Sequence, residues 1–134
     1  MNCSAKKNPA TERMIYAIDH VQLAMPARQE DVARRFYVNV LGFTEQPKPP
    51  IQAARGGAWF VQGQVQLHLG VEADFRPARK AHPGLLVKDL AALLERLRTH
   101  GVEFALDDTM AGYERAFIND PFGNRIELLQ RSGA

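Results

Sequence analysis

The sequence predicts an α+β domain made of two tandem βαβββ modules, and three observations carry that reading. Runs alternating apolar and polar residues are separated by two stretches of helical periodicity, each closed by glycine. Landmarks of the first half recur in the second at nearly one period: His20 and His82 lie 62 positions apart, Gly42 and Gly101 lie 59 apart, and Gln66 and Glu127 lie 61 apart. The chain of 134 residues has room for one core, so the repeat is two units packed on each other and not a solenoid.

Taken in order, Ile15 to Met25 alternates, with Ile18, His20, Gln22 and Ala24 on one face and Val21, Leu23 and Met25 on the other. After Pro26, Val32, Phe36 and Val40 recur at helical spacing with Ala33 and Tyr37, and Gly42 caps the helix. A loop at Pro47-Lys48-Pro49-Pro50 leads to two extended runs, Ala58 to Gln62 and Gln64 to Val71, split by Gly63. The second unit opens at His82 with a short run through Val87. Asp89 then caps a helix carrying Leu90, Leu93, Leu94 and Leu97, a core stripe too short for a zipper, and Gly101 ends it after His100, a charge partner for the helix C-terminus. Val102 to Leu106 and Arg115 to Asn119 are expected strands, Asp120 to Asn124 a turn, and Arg125 to Gln130 a last strand. Residues 1–13 are expected to be a disordered segment, and 14–131 one domain with modules at about 15–71 and 82–130.

Composition excludes several classes. Apolar residues make up 46% and charged residues 24%, ordinary for a globular chain, and a net charge of +2 leaves no footprint for nucleic acid or a membrane surface. No apolar run approaches the ~20 residues that span a bilayer. Cys3 is the only cysteine and the leading segment has no apolar core, which points to the cytoplasm.

The strand faces turned away from the helices are the informative part. They carry His20 and Gln22, then Gln64, Gln66 and His68, then Arg125 and Glu127, residue types that converge on ligands more often than they merely solvate a surface. Two imidazoles and one carboxylate, His20, His82 and Glu127, with a side-chain amide as a fourth donor, make a set suited to a divalent Fe, Ni, Zn or Mn ion. Such an ion acts as a Lewis acid toward vicinal oxygens of a small molecule or binds dioxygen, and the spacing does not choose between them. Glu127 can exchange off the ion as a base, whereas the Gln66 amide cannot take up a proton. Arg76, Arg79 and Lys80 beside His82 form a candidate clamp for a carboxylate or phosphate. Tyr113, read in a loop beside Gly112, is a candidate proton donor, and Trp59 and Phe117 are candidate pocket linings.

Four segments together resemble a known family: Asp19-His20-Val21-Gln22-Leu23, Val65-Gln66-Leu67-His68-Leu69, His82-Pro83-Gly84-Leu85-Leu86-Val87 and Asp120-Pro121-Phe122-Gly123-Asn124-Arg125-Ile126-Glu127-Leu128. From about Ile15 to Gln130 the chain resembles the vicinal oxygen chelate superfamily, which includes glyoxalase I, extradiol dioxygenases, fosfomycin-resistance transferases and bleomycin-binding proteins. The resemblance implies the glyoxalase/bleomycin-resistance/dioxygenase fold, places His20, His82 and Glu127 at metal-ligand positions and Gln66 at that of a fourth ligand, with His68 as a same-face neighbour able to take its place, and implies a homodimer in which each subunit can supply a pair of ligands. Glyoxalase I has arginine where this chain has Ala24 and asparagine where it has Gly70, both serving glutathione, and fosfomycin-resistance enzymes have threonine where it has Gln22. The expected function is therefore a metal-dependent enzyme acting on a small oxygenated molecule by lyase, isomerase, dioxygenase or transferase chemistry. The alternatives are a metal-free protein that binds an antibiotic or another aromatic ligand, and an interaction module without chemistry.

Overall fold

The structure is a computed structural model and describes residues 13–133, so the expectation for residues 1–12 lies outside the described residues. Two four-stranded mixed sheets carry the two modules. The first has the order β1-β4-β3-β2, from β1 (Val21–Met25), β2 (Thr44–Gln46), β3 (Ala58–Gln62) and β4 (Val65–Val71). The second has the order β5-β8-β7-β6, from β5 (Gly84–Leu86), β6 (Ala105–Asp107), β7 (Tyr113–Asn119) and β8 (Arg125–Arg131). Each opening strand runs parallel to its module's last strand, Val21 opposite Leu67 and Gly84 opposite Glu127, so the repeat read from the sequence is a repeat of topology. The fold is α+β with two tandem βαβββ modules.

Alternation decides which face meets the helices. Leu23 and Met25 on β1, Leu67 and Leu69 on β4, and Ile126 and Leu128 on β8 are buried in one core that both modules share. The first helix begins as α1 (Glu30–Arg34), with Glu30 and Asp31 at the positive end of its dipole, and continues as a π-helical segment, Arg35–Val40. There the Leu41 N–H donates to the Phe36 carbonyl at 3.0 Å, five residues back. The wider turn holds Phe36, Tyr37, Val40 and Leu41 against the core together. Gly42 then takes φ +82°, which closes the helix as the sequence indicates. In the second module Asp89 caps α3 (Leu90–Thr99) by accepting from the Ala92 N–H at 3.0 Å. The Leu90 N–H, another open donor of that terminus, goes to Gln130 Oε1 on β8 at 2.7 Å.

Four expectations need correction. The opening strand starts at Val21 and not at Ile15. Its partner β4 begins at Val65, which the parallel register sets opposite Asp19, so residues 15–18 have no strand to pair with, and Ile15 and Ile18 are exposed (92% and 82%). The Pro47–Pro50 stretch is not only a loop, because Pro50 opens a short helix, α2 (Pro50–Ala54), from the first-turn position where its missing N–H costs nothing. The strand expected from Val102 is the shorter β6. Tyr113 sits in no loop and begins β7 opposite Arg131.

The modules are latched by the turn between β7 and β8. The buried Tyr37 hydroxyl donates to Asp120 Oδ2 at 2.7 Å, across 83 residues of sequence. Asp120 Oδ1 accepts the N–H groups of Phe122 and Asn124 at 2.9 and 2.8 Å. The Asn124 amide donates to the Ala24 carbonyl of β1 at 2.8 Å and to Asp120 Oδ2 at 2.9 Å. On the helix side, Arg96 donates to the carbonyls of Val40 and Asn39 at 2.7 and 2.8 Å, where the first helix ends and its carbonyls lack partners.

Burial first, then the charge of and hydrogen bond to Asp120, push the Tyr37 phenol well above its ordinary value. The unfolded chain therefore gives up this proton near pH 10 while the folded chain keeps it. Stability falls as pH rises beyond that point, by up to about 1.4 kcal/mol per unit. In urea titrations at pH 9 and pH 11, Tyr37→Phe is expected to be less stable than the parent at pH 9 and to lose less between the two. An equal loss in both proteins would show that the latch does not govern alkaline stability.

No helix among the described residues is long and apolar enough to cross a membrane.

Candidate functional site

The sheet faces opposite the helices hold two polar clusters, one per module. In the second module His82 stands just before β5 and Glu127 on β8. Gly84 lies opposite Glu127, and a Cβ there would crowd the tip of Leu129 at 3.3 Å. His82 Nδ1 is 2.8 Å from the Lys80 carbonyl, which can only accept, so Nδ1 carries the proton. Nε2 then faces Glu127 Oε1 at 3.0 Å. The other carboxylate oxygen, Oε2, accepts from Arg115 Nη1 at 2.8 Å, and Arg115 Nη2 is held by Thr109 at 3.2 Å and Asp107 at 3.3 Å. Burial on its own would raise the Glu127 carboxyl, but the hydrogen bond from Arg115, with His82 beside the other oxygen, outweighs it and holds the group below the ordinary carboxylate range.

This pair passes a chemical test for a cation. If Nδ1 holds the only ring proton, Nε2 and Oε1 present lone pairs to each other, an arrangement that needs either a second ring proton or a shared positive ion. Two donor atoms 3.0 Å apart match neighbouring ligands of one ion at bond lengths of about 2.1 Å. Anchoring of the ring's other nitrogen on a carbonyl is the usual support of a ligating histidine.

In the first module His20 precedes β1, with Nδ1 on Asp19 at 2.9 Å and Nε2 left over, the same support by a carboxylate. Its ring stacks on His68 at 4.2 Å and 17°, and His68 stacks on Trp59 at 4.4 Å and 10°. His68 is buried, with Nε2 lacking a partner among the described residues. Desolvation, then the neighbouring His20, lowers its pKa, so the ring is neutral at neutral pH. Gln22 lies across the strand over Gly70, where a Cβ would stand 2.6 Å from its amide nitrogen; the small residue at that position makes room for Gln22. Gln66 is half-buried on the same face of β4, opposite Val61.

The structure thus brings His82 to Glu127 and His20 to His68, but it does not join the two pairs. Among the described residues no three His, Cys, Asp or Glu side chains converge on one point. The two pairs lie on different sheets: the strand after His20 belongs to one sheet, and those beside His82 and Glu127 belong to the other. Arg76, Arg79 and Lys80 are exposed and make no ion pair among the described residues; only the Lys80 carbonyl touches the site. Tyr113 shares a cavity of about 470 Å³ with Leu90, Leu94, Asp107 and Arg115.

Two residues of this cluster were given no role in the sequence reading. Arg115 holds Glu127. Arg125, although placed on the right face, stacks 4.0 Å above the Phe117 ring, which also meets Arg115 at 5.2 Å and His82 edge-on at 5.7 Å. Alternation along β7 was the available signal, because Arg115 and Phe117 alternate with the buried Ala116 and Ile118.

Comparison with known proteins agrees with this fold. No curated protein matches the chain. A glyoxalase family protein from Bacillus anthracis is 41% identical, with 88% of this chain and 97% of that one covered and a TM-score of 0.86. TnmS3, an antibiotic binding protein from Streptomyces sp. CB03234, is 26% identical over 87% of this chain and 98% of its own, with a TM-score of 0.68. The fosfomycin resistance protein FosX from Listeria monocytogenes shares the fold at 15% identity, covering 89% and 96% of the two chains with a TM-score of 0.70. With the family model matched over residues 17–128, the chain belongs to the Glyoxalase/Bleomycin resistance protein/Dioxygenase superfamily.

Proposed function

We propose that this protein is a metal-dependent enzyme of its superfamily, acting in the cytoplasm as a homodimer on a small oxygenated molecule by glyoxalase-like, dioxygenase or transferase chemistry. The observation that supports it best is the His82–Glu127 pair, with one ring nitrogen anchored on a carbonyl and the other 3.0 Å from a carboxylate oxygen. His82 Nε2 and Glu127 Oε1 are the ligands from one chain. His20, with Gln66 beside it, is the complementary half, supplied by the second copy because a single chain holds the halves apart.

Bound there, a divalent ion of Fe, Ni, Zn or Mn supplies a Lewis acid for two neighbouring oxygens of the substrate. Arg115 fixes the Glu127 carboxylate so that only Oε1 faces His82, and it withholds Oε2 from any second role. While that hold lasts Glu127 is a weak proton acceptor; release from Arg115 makes it a stronger one. Tyr113, on the cavity wall it shares with Arg115, is the proton donor in this reading. Elemental analysis of untagged protein is expected to find about one ion per chain, with His82→Ala retaining less than about a tenth of it. Metal-free parent protein would overturn the reading.

A second reading has one observation in its favour. The His20–His68–Trp59 stack offers a preformed aromatic surface, and TnmS3 is an antibiotic binding protein. Metal-free protein that quenches Trp59 fluorescence on binding a planar aromatic compound would favour it.

A further inference from the structure

The charges on the second module's open face do not cancel. Arg115 is matched twice, by Glu127 at 2.8 Å and Asp107 at 3.3 Å, and its guanidinium is spent on holding the carboxylate. Arg125, one strand over and two residues before Glu127, has no carboxylate partner among the described residues. Its guanidinium lies 4.0 Å over the Phe117 ring, and the side chain is half-buried.

An aromatic face stabilises the cation but does not replace hydrogen-bond acceptors for its five N–H groups. A half-desolvated guanidinium in this state is a receptor for two oxygens of an anion. The same Phe117 ring meets His82, so an oxyanion on Arg125 sits next to the His82–Glu127 pair.

The linker adds to the field. The Arg125 N–H donates to the Ala78 carbonyl at 3.0 Å, and the Glu127 N–H to that of Pro83 at 3.0 Å, so residues 78–83 run alongside the start of β8. Exposed Arg76, Arg79 and Lys80 are thereby kept at its rim, where they raise the local concentration of anions without binding them in fixed geometry.

We propose that Arg125, held over the Phe117 ring, is a subsite for the oxyanion of the ligand, a carboxylate or a phosphonate, beside the candidate metal pair. The proposal extends the reading of His82 and Glu127 as the reactive centre, yet the subsite itself needs no metal, and the test separates the two.

Benzoate, phenylphosphonate and neutral benzamide share one ring and differ in charge. Each is titrated by calorimetry into the full chain as purified and again after chelator treatment. Both anions are expected to bind in either state, with benzamide at least about tenfold weaker, and the tighter of the two anions names the natural group. Arg125→Gln is expected to weaken both anions by about tenfold or more, and Arg79→Gln by less than about threefold. Arg125→Lys, which keeps the charge and loses the fork, is expected to fall between, and it serves if the glutamine variant folds poorly.

The subsite is overturned if benzamide binds as well as the anions, if Arg125→Gln binds them unchanged, or if the parent protein binds neither. Binding abolished by chelator and indifferent to Arg125 would also overturn it, while leaving the metal reading intact. Anion binding that depends on Arg125 in protein that carries no metal as purified would do the reverse.

Discussion

Asp120→Ala is expected to cost about 3–5 kcal/mol of folding stability, more than any other single polar substitution proposed for this chain. Four donors converge on this 4%-exposed carboxylate: the Tyr37 hydroxyl, the Phe122 and Asn124 N–H groups, and the Asn124 side-chain amide. Alanine removes their acceptor and leaves them without water to replace it, so the cost is the desolvation of stranded groups and not the modest net worth of each bond. Asn124 also ties this turn to the Ala24 carbonyl of β1, so loss of the carboxylate loosens both attachments of the second module to the first. Urea denaturation followed by circular dichroism gives the number. Asp120→Asn, which keeps one carbonyl acceptor, should lose about half as much. A loss below about 1 kcal/mol for the alanine variant would mean that the turn is solvated and the apolar core alone holds the modules.

That latch shows what the sequence discloses and what it hides. The Asp120–Asn124 run stands out in one dimension as a turn and as the most distinctive segment of the family resemblance. Its work depends on Tyr37 and Ala24, 83 and 100 residues away from their partners, and no local pattern reveals a contact at that separation. Strands and faces were legible because alternation with period two is local: Leu67 and Leu69 inward with Gln66 and His68 outward follow from the chain itself. The same rule overran at Ile15, since alternation does not say whether a neighbouring strand exists to pair with. Pro49-Pro50 read as a breaker because proline ends helices more often than it opens them, and α2 uses the exception. The π-helical turn had no signature, because Phe36, Tyr37 and Val40 suit an ordinary helix equally well. Within the site, residue types singled out His82 and Glu127, which stand 3.0 Å apart in the fold. Arg115 was passed over because a strand arginine looks like solvated surface until its partner across the sheet is known.

Mixing two inactive variants tests how the halves of the site come together. His20→Ala and His82→Ala each remove one ligand, and both side chains reach solvent, 41% and 25% exposed, so neither change should disturb the core. If each centre takes His20 from one copy and His82 with Glu127 from the other, homodimers of either variant have no complete centre. A dimer with one chain of each kind has one centre lacking both histidines and one that is whole, because the His20→Ala chain still carries His82 and its partner still carries His20. Random pairing after co-expression makes half of all dimers mixed, so bound metal is expected to return to about one quarter of the parent level, and turnover with it once a substrate is known. A centre built within one chain cannot respond in this way, since every chain in the mixture still lacks a ligand. Metal content in the mixture no higher than in the separate variants would therefore rule out the shared centre. It would leave His82 and Glu127 to bind any cation without His20, a weaker and more open site than the superfamily resemblance implies.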